Sequence, residues 1–301
     1  MKTRTAKSLS PQTLAIFLSV ITFAAPVLAQ RAQPTVKTDT RIIYHNGPLM
    51  QGVSNVYLIW YGHWPNGTTT PTILNDLVQN LGGSSYFTIN ALYPDAVGNG
   101  PNGGLIYSGN VVDSYSHGAA LTPSDIQAIV RDWIAGGWLP ADGNGIYVVI
   151  ATADITDVYP DGTTFCTKPF PHHGSFNFNG TSVKYGFLGS ADRCGHQSIA
   201  PWFFAPNGTE LPTPNDNFGA DVMAANLAHL LSVTVTNPTG SGWYDRYGFE
   251  NAAKCYGTFG PTYQAQNGGP ANIRIGPRDF MLPQNWVNVR KGYCAMAAPN
   301  P

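Results

Sequence analysis

Histidine side chains are the groups in this sequence best suited to chemistry. Four of the seven lie in the second half of the chain, at His172, His173, His196 and His229. The first three are close in sequence to Cys166 and Cys194, and a disulfide between those cysteines would hold them together. Neutral imidazoles grouped in this way can bind a transition metal. Neighbouring loop histidines are more often solvated, so we expect no cofactor, with a histidine-based zinc site as the alternative.

The segment around His229 has the residue types of a metallopeptidase helix. It reads NLAHLLSVTVTNP from Asn226 to Pro238, and Gly242-Trp243-Tyr244-Asp245, Glu250 and Cys255 follow it. This order resembles zincin-like metallopeptidases, in which a helix carries His-Glu-x-x-(His or Glu) and ends at Thr-Asp-Pro. Residues at i and i+4 share a helix face and can bind one zinc ion, while the intervening Glu polarises its water.

Two of the three positions that zincin chemistry needs are changed in this chain. Aligning Thr236-Asn237-Pro238 with Thr-Asp-Pro places His229 on the first metal ligand, Leu230 on the general base and Val233 on the second ligand. Leucine cannot accept a proton and valine cannot hold a metal. The resemblance therefore implies a degenerate site, with Asn226, His229 and Glu250 as its residual polar residues and no catalytic residue. The alternative is a metal-dependent hydrolase that uses His229 together with the other histidines.

A second resemblance covers nearly the whole chain after its first forty residues. The blocks that carry it are Gly47-Pro48-Leu49, Leu58-Ile59-Trp60-Tyr61-Gly62, Ala153-Asp154-Ile155-Thr156, Phe165-Cys166, His173-Gly174, Pro214-Asn215-Asp216 and Asn226-Leu227-Ala228. Their order and spacing resemble the EXORDIUM-like, or phosphate-induced, protein family. That family is extracellular and is associated in plants with the cell wall and with growth and nutrient responses. The resemblance thus implies a secreted protein, and it supplies no biochemical activity. Because the zincin positions are changed as well, we expect a non-catalytic protein that acts by binding.

Two residues depart from the plant pattern of this family. Phe170 stands where that pattern has a second cysteine, and His229 stands where it has a serine. The first departure supports a disulfide between Cys166 and Cys194. The second indicates a distant relative nearer to the zincin arrangement.

The elements that must position these residues alternate between helices and strands. Helices are predicted for residues 71–81, for a segment that starts at the Thr122 capping box and ends at Gly136, and for 217–235. Strands are predicted for 145–151 and 184–189, residues 41–45 and 55–61 are predicted to form a hairpin, and 97–104 is predicted to be a loop. This alternation favours an α/β or α+β fold with a mixed sheet flanked by helices.

Asp154 follows the apolar strand 145–151, at the end of the strand where open α/β sheets often place functional groups. Its other role, which we favour, is to cap the next turn. The glycines of 97–104 do not lead into a helix, and no Gly-x-Ser-x-Gly elbow occurs. Phosphate cradling and serine-hydrolase chemistry are therefore not expected.

The N-terminus has the pattern of a secretory signal peptide. Lys2, Arg4 and Lys7 precede an apolar run of about a dozen residues, too short for the roughly twenty of a spanning helix. Pro26-Val27-Leu28-Ala29 then offers a cleavage site. We predict a signal peptide at 1–29, a flexible leader at 30–40 and a single disulfide-stapled domain at 41–301, secreted and without a membrane span in the mature chain.

Four cysteines in an exported chain predict disulfides and not a zinc site. Three pairings are open, and we favour the two local loops, Cys166–Cys194 and Cys255–Cys294. Asn66, Asn179 and Asn207 each begin an Asn-Gly-Thr sequon, which is either a glycosylation site or a surface turn.

Composition narrows the classes of partner. Charged residues make up 11% of the chain, the net charge is −1 and the sequence has no basic patch, so we do not expect nucleic acid as a partner. Aromatic faces suit sugar rings, although most aromatic residues lie in cores. The aromatic residues near turns are Trp60, Tyr61, Trp64, Trp202, Phe203, Phe204, Trp243 and Tyr244. We therefore expect a cell-wall polysaccharide or a surface protein as the partner.

Overall fold

The computed structural model describes residues 41–159, 161–167, 171–289 and 291–299. All of these residues fall in one compact unit. The predicted signal peptide (1–29) and leader (30–40) lie outside the described residues, and so does Phe170.

The elements are numbered in chain order. The strands are β1 (Ile43–Tyr44), β2 (Gly52–Tyr61), β3 (Pro101–Asp113), β4 (Ala120–Leu121), β5 (Gly145–Ala151), β6 (Thr156–Asp157), β7 (His172–Phe178), β8 (Thr181–Leu188), β9 (Trp243–Tyr244), β10 (Tyr263–Gln264), β11 (Pro270–Ala271), β12 (Ile273–Ile275), β13 (Arg278–Phe280), β14 (Asn285–Val287) and β15 (Tyr293–Ala295). The α-helices are α1 (Thr70–Leu81), α2 (Pro123–Ala135), α3 (His196–Ile199), α4 (Phe218–Thr236) and α5 (Asn251–Lys254), with 3-10 turns at Phe87–Leu92, Ala191–Arg193 and Pro201–Phe203.

A five-stranded mixed sheet with the order β3-β2-β5-β8-β7 forms the centre of the molecule. The first four strands are parallel, and β7 joins the edge antiparallel to β8. The tight turn between β7 and β8 is made by Asn179 and Gly180, both with positive φ, which is the backbone that a two-residue hairpin turn requires. This arrangement confirms the predicted mixed α/β fold.

Helices cover both faces of the sheet, and the alternation of side chains along each strand decides which residues meet which helix. Along β5, Ile146, Val148 and Ile150 pack in the cluster that contains α1 and α4. Tyr147 and Val149 pack in the opposite cluster, with α2. Every residue of β5 is buried because side chains one residue apart point to opposite faces and both faces are covered.

Helix α4 is the core helix of this fold. It begins after Asn217, whose side chain accepts a hydrogen bond from the backbone N–H of Ala220, and it ends before Asn237, because Pro238 disfavours helical backbone in the residue that precedes it. It is long and apolar enough to cross a bilayer, yet 94% of its apolar window is buried inside the protein. Such burial is typical of a helix that is apolar all round and packed in a core.

Most of the predicted elements are confirmed. Helices α1, α2 and α4 and strands β5 and β8 lie within a few residues of their predicted bounds. The capping box of α2 is formed, with Thr122 N–H donating to Asp125 Oδ2 at 2.8 Å and Asp125 N–H donating to Thr122 Oγ1 at 3.3 Å.

Two local predictions are wrong. The hairpin of 41–45 with 55–61 does not form, because β1 pairs with the distant β9 and β2 lies between β3 and β5 in the parallel sheet. The predicted loop at 97–104 contains the start of β3. Its glycines hid that strand, and the register between β2 and β3 shifts between Pro101 and Leu105, where Gly103 and Gly104 lie.

Both predicted disulfides are confirmed. Cys166 bonds to Cys194 and Cys255 bonds to Cys294, with Cα–Cα distances of 5.3 and 5.7 Å. The first joins the segment before β7 to the 3-10 turn that precedes α3. The second joins the end of α5 to β15. All three sequon asparagines, Asn66, Asn179 and Asn207, are exposed.

Candidate functional site

The edge strand β7 and helix α4 bring several of the polar residues predicted from the sequence close together. In the sheet, His173 lies opposite Gly186 of β8. A Cβ atom on Gly186 would lie 2.7 Å from Leu230 Cδ2, so β8 presses directly against α4 at this point. Because cross-strand neighbours share a face, His173 lies on the α4 side of the sheet. His172 is paired with Phe187 and lies on the α2 side.

Six polar residues form what we call the α4 polar cluster: His173, Asn226, His229, Asn237, Glu250 and Tyr256. His173 Nε2 lies 3.0 Å from Glu250 Oε1, and Asn237 Nδ2 donates to the same oxygen at 2.6 Å. The backbone N–H of Gly242 donates to Asn237 Oδ1 at 2.6 Å, which fixes the amide of Asn237. The Glu250 carboxylate thus joins the edge strand to the end of α4.

The other half of the cluster lies about two to three turns before Asn237, at His229 and Asn226 of α4. Tyr256 Oη donates to Asn226 Oδ1 at 3.2 Å, and the Tyr256 ring meets the His229 ring edge-on, with centroids 5.6 Å apart. Asn226 is fully buried. Within the described part of the chain, neither Asn226 Nδ2 nor His173 Nδ1 has a hydrogen-bond partner. Both atoms can still bond to another group.

Burial sets the charge state of His229. Its side chain is 3% exposed. Burial, with a smaller contribution from the nearby His173, lowers the pKa of His229 to about 3, because a charged imidazole would lose its hydration. His229 is therefore neutral at ordinary pH.

The residues at the zincin positions do not fit a zinc site. Leu230 is fully buried against Gly186, and Val233 is 1% exposed in the core. The Glu250 carboxylate is already engaged by His173 and Asn237. Across residues 41–159, 161–167, 171–289 and 291–299, no group of three or more His, Cys, Asp or Glu side chains is arranged to hold a metal.

The structure brings together only two of the four predicted metal-binding histidines, His173 and His229. His172 Nδ1 lies 2.5 Å from Tyr159 Oη, and burial lowers the pKa of His172 to about 4. His196 lies on α3, with Nδ1 3.1 Å from Glu210 Oε1 and its ring stacked on Phe218. A site built on all four histidines is thus not assembled in this fold.

Asp154 lies beyond the end of β5, as expected, and both of its carboxylate oxygens are engaged. Thr152 Oγ1 donates to Oδ1 at 2.6 Å and Tyr115 Oη donates to Oδ2 at 2.7 Å. Partial burial opposes ionisation, but these hydrogen bonds leave the pKa of Asp154 below its ordinary value. Asp154 therefore holds the turn after β5.

The eight aromatic residues of the sequence analysis divide into two groups. Trp60, Tyr61 and Phe203 are buried in the core and cannot present a ring face to a ligand. The others are half-buried: Trp64, Trp202, Phe204, Trp243 and Tyr244. Of these, Phe204 lines an open groove.

We call this the α3 groove, and it has a volume of about 610 Å³. Its lining residues are Gly195, His196, Gln197, Ser198, Phe204 and Glu210. A second and smaller groove of about 360 Å³ lies beside β3 and α2 and is lined by Val111, Val112, Trp133 and Trp138. Trp138 in this second groove is 74% exposed, and sequence reasoning did not single it out.

Sequence reasoning also missed Asn237 and Tyr256. Asn237 occupies the Asp position of the Thr-Asp-Pro pattern, and that alignment was the signal that could have identified it. Tyr256 has no such signal, because its contact with Asn226 joins residues that are 30 positions apart.

Comparisons with known proteins relate the chain to one family. The family model described as the phosphate-induced protein 1 conserved region matches residues 42–278. The chain is 27% identical over 287 residues to Protein EXORDIUM-like 3 of Arabidopsis thaliana, covering 84% of this chain and 82% of that protein. It is 27% identical over 274 residues to Protein PHOSPHATE-INDUCED 1 of Nicotiana tabacum, covering 82% of each. No solved structure matches the chain, so the zincin likeness stays a prediction.

Proposed function

Because the chain belongs to the phosphate-induced protein 1 family, whose EXORDIUM relatives it resembles along most of its length, we propose that it is a secreted protein of the cell surface or cell wall that acts by binding and not by hydrolysis. Cell-wall polysaccharide is the ligand that we propose. The fold then serves as a rigid scaffold for a binding surface.

The observation that carries the non-catalytic part of this proposal is the burial of Leu230. This residue stands at the general-base position of the zincin pattern, and its side chain is wholly buried against Gly186 of the sheet. A base must reach the proton that it abstracts, and an apolar side chain in this position fills space instead. The Glu250 carboxylate is held by His173 and Asn237, which supports a structural role for it.

Two features support export. Residues 1–29 have the charge and apolar pattern of a signal peptide. The two disulfides are consistent with an oxidising, extracellular compartment, since cytosolic thiols are kept reduced. Expression of the full chain in a secretory host should give a protein in the medium whose first residue is Gln30. The variant Ala29→Arg should block this cleavage, and an intracellular wild-type product with an intact N-terminus would contradict export.

Binding and hydrolysis are separated by one experiment on the secreted protein. The protein is mixed with insoluble wall polysaccharides, and the polysaccharides are sedimented. The supernatant is then assayed for new reducing ends. A parallel sample of the protein with casein is assayed for released peptides. We expect the protein in the pellet and no product in either assay. Product formation that disappears in His229→Ala would contradict the proposal, as would failure to sediment with every polysaccharide.

A further inference from the structure

We propose that the α3 groove is the polysaccharide-binding site and that it takes a neutral glycan chain; this inference rests on the proposed function. The groove combines one aromatic wall, Phe204, with a rim of polar side chains, His196, Gln197, Ser198 and Glu210. A sugar ring has an apolar C–H face and an edge of hydroxyl groups. Ligand sites pair an apolar or aromatic surface with a few placed polar groups, and the groove offers that combination.

The aromatic wall and its polar neighbour are held side by side. Phe204 and Glu210 form an antiparallel bridge, so their side chains are close neighbours across a short turn. The turn is closed by Ala205 N–H donating to Thr209 O at 2.8 Å and by Thr209 N–H donating to Asn207 Oδ1 at 3.0 Å. A turn fixed by these bonds loses little freedom when a ligand binds.

His196 is also fixed in place. Its ring stacks on Phe218 with centroids 3.7 Å apart, and Nδ1 lies 3.1 Å from Glu210 Oε1. The disulfide at Cys194 holds the chain just before α3. Gln197 and Ser198 are exposed, so the amide of Gln197 can donate to and accept from sugar hydroxyls.

The charged side chains around the α3 groove favour a neutral glycan. Glu210 lines the groove, and the Asp192 carboxylate lies 4.0 Å from His196 Nε2. Among the described residues that line the groove, none is Lys or Arg. Two carboxylates with a single histidine between them would repel uronate or phosphate groups, since like charges at short range are unfavourable. Neutral sugars carry no such penalty.

The groove beside β3 fits a glycan less well, although Trp138 is the more exposed aromatic residue. Its lining residues, Val111, Val112, Trp133 and Trp138, are apolar. The Trp133 indole N–H is already donated to Asp113 Oδ2 at 2.8 Å. Sugar hydroxyls desolvated there would lose hydrogen bonds to water without replacement.

The test measures binding of the purified secreted protein to soluble cellulose oligosaccharide, to mannan oligosaccharide and to polygalacturonate by isothermal titration calorimetry. Glu210→Gln and Gln197→Ala are exposed changes that leave the core intact, and Phe204→Ala removes the aromatic wall. Trp138→Ala is the matched control outside the groove. Near-ultraviolet circular dichroism checks that each variant is folded.

We expect at least one neutral oligosaccharide to bind, Phe204→Ala and Gln197→Ala to weaken it about tenfold, and Trp138→Ala to leave it unchanged. Binding of a neutral glycan that is the same in all groove variants would overturn the assignment of the groove and leave the proposed function standing. Preference for polygalacturonate would overturn the neutral specificity. If no polysaccharide binds, both this inference and the proposed ligand class are wrong.

Discussion

Replacing Leu230 by glutamate restores the residue type that a zincin helix carries at this position, and so it tests whether the position is part of a site or part of the core. Leu230 is fully buried and lies against Gly186. If it is core, the introduced carboxyl group has no access to water. A buried glutamate can reach a pKa of about 8–9, so the native protein would hold it protonated at pH 7.

The expected loss of stability follows from that pKa. Raising the pKa from about 4.3 past 7 costs about 1.4 kcal/mol per unit, or about 3.7 kcal/mol at pH 7. The folded state keeps the proton while the unfolded state releases it, so the free energy of unfolding of Leu230→Glu, relative to wild type, falls as the pH rises through about 4.3 and towards 7. Below about pH 4.3 this contribution is fully absent, because both states are protonated.

Urea unfolding followed by tryptophan fluorescence, with the disulfides intact, measures this effect at several pH values. Leu230→Gln is the matched control, because it has the shape of glutamate without the ionisation and should lower stability by an amount that does not change with pH. Leu230→Met should cost less than about 1.5 kcal/mol. A Leu230→Glu protein as stable as wild type at neutral pH, with no added pH dependence, would refute the reasoning and place residue 230 at a solvated site.

Two further predictions concern the α4 polar cluster and the Cys255–Cys294 disulfide. Burial holds the pKa of native His229 at about 3, whereas the unfolded state accepts a proton near the ordinary histidine pKa of about 6.5. The free energy of unfolding therefore falls as the pH falls below about 6.5. His229→Gln cannot titrate in this way, so its free energy of unfolding should fall by about 2 kcal/mol less than that of wild type between about pH 6.5 and 5. Urea unfolding midpoints at the two pH values check this, and equal pH slopes for the two proteins would show that His229 titrates normally. Removing the disulfide by Cys255→Ser with Cys294→Ser opens a loop with a sequence separation of 39 residues, and chain entropy predicts a loss of about 4 kcal/mol. Thermal unfolding of the double variant measures that loss, and an unchanged melting temperature would contradict it.

The parts of this fold that could be predicted from the sequence are those whose signals are local. The α2 start was readable because Thr122 and Asp125 cap each other three residues apart. Strand β5 was readable because a strand covered on both faces is apolar at every position. In contrast, the pairing of β1 with β9 joins residues about two hundred positions apart, and no local pattern encodes it.

The candidate site was only partly predictable for the same reason. The zincin pattern identified His229 and Glu250 because both are in one segment. It could not show that His173 would approach Glu250, since that contact depends on the antiparallel edge strand β7. Nor could it separate His172 from His173, because adjacent residues in a strand point to opposite faces only once the strand is known.

We infer that helix α4 is a structural core element and that it holds no catalytic metal. The most direct test is metal analysis of the purified secreted protein. The protein is first dialysed against buffer with a small excess of zinc and then against zinc-free buffer. The account predicts zinc far below one ion per chain, in wild type and in His229→Ala alike. One tightly held zinc ion per chain in wild type, lost in His229→Ala, would contradict it.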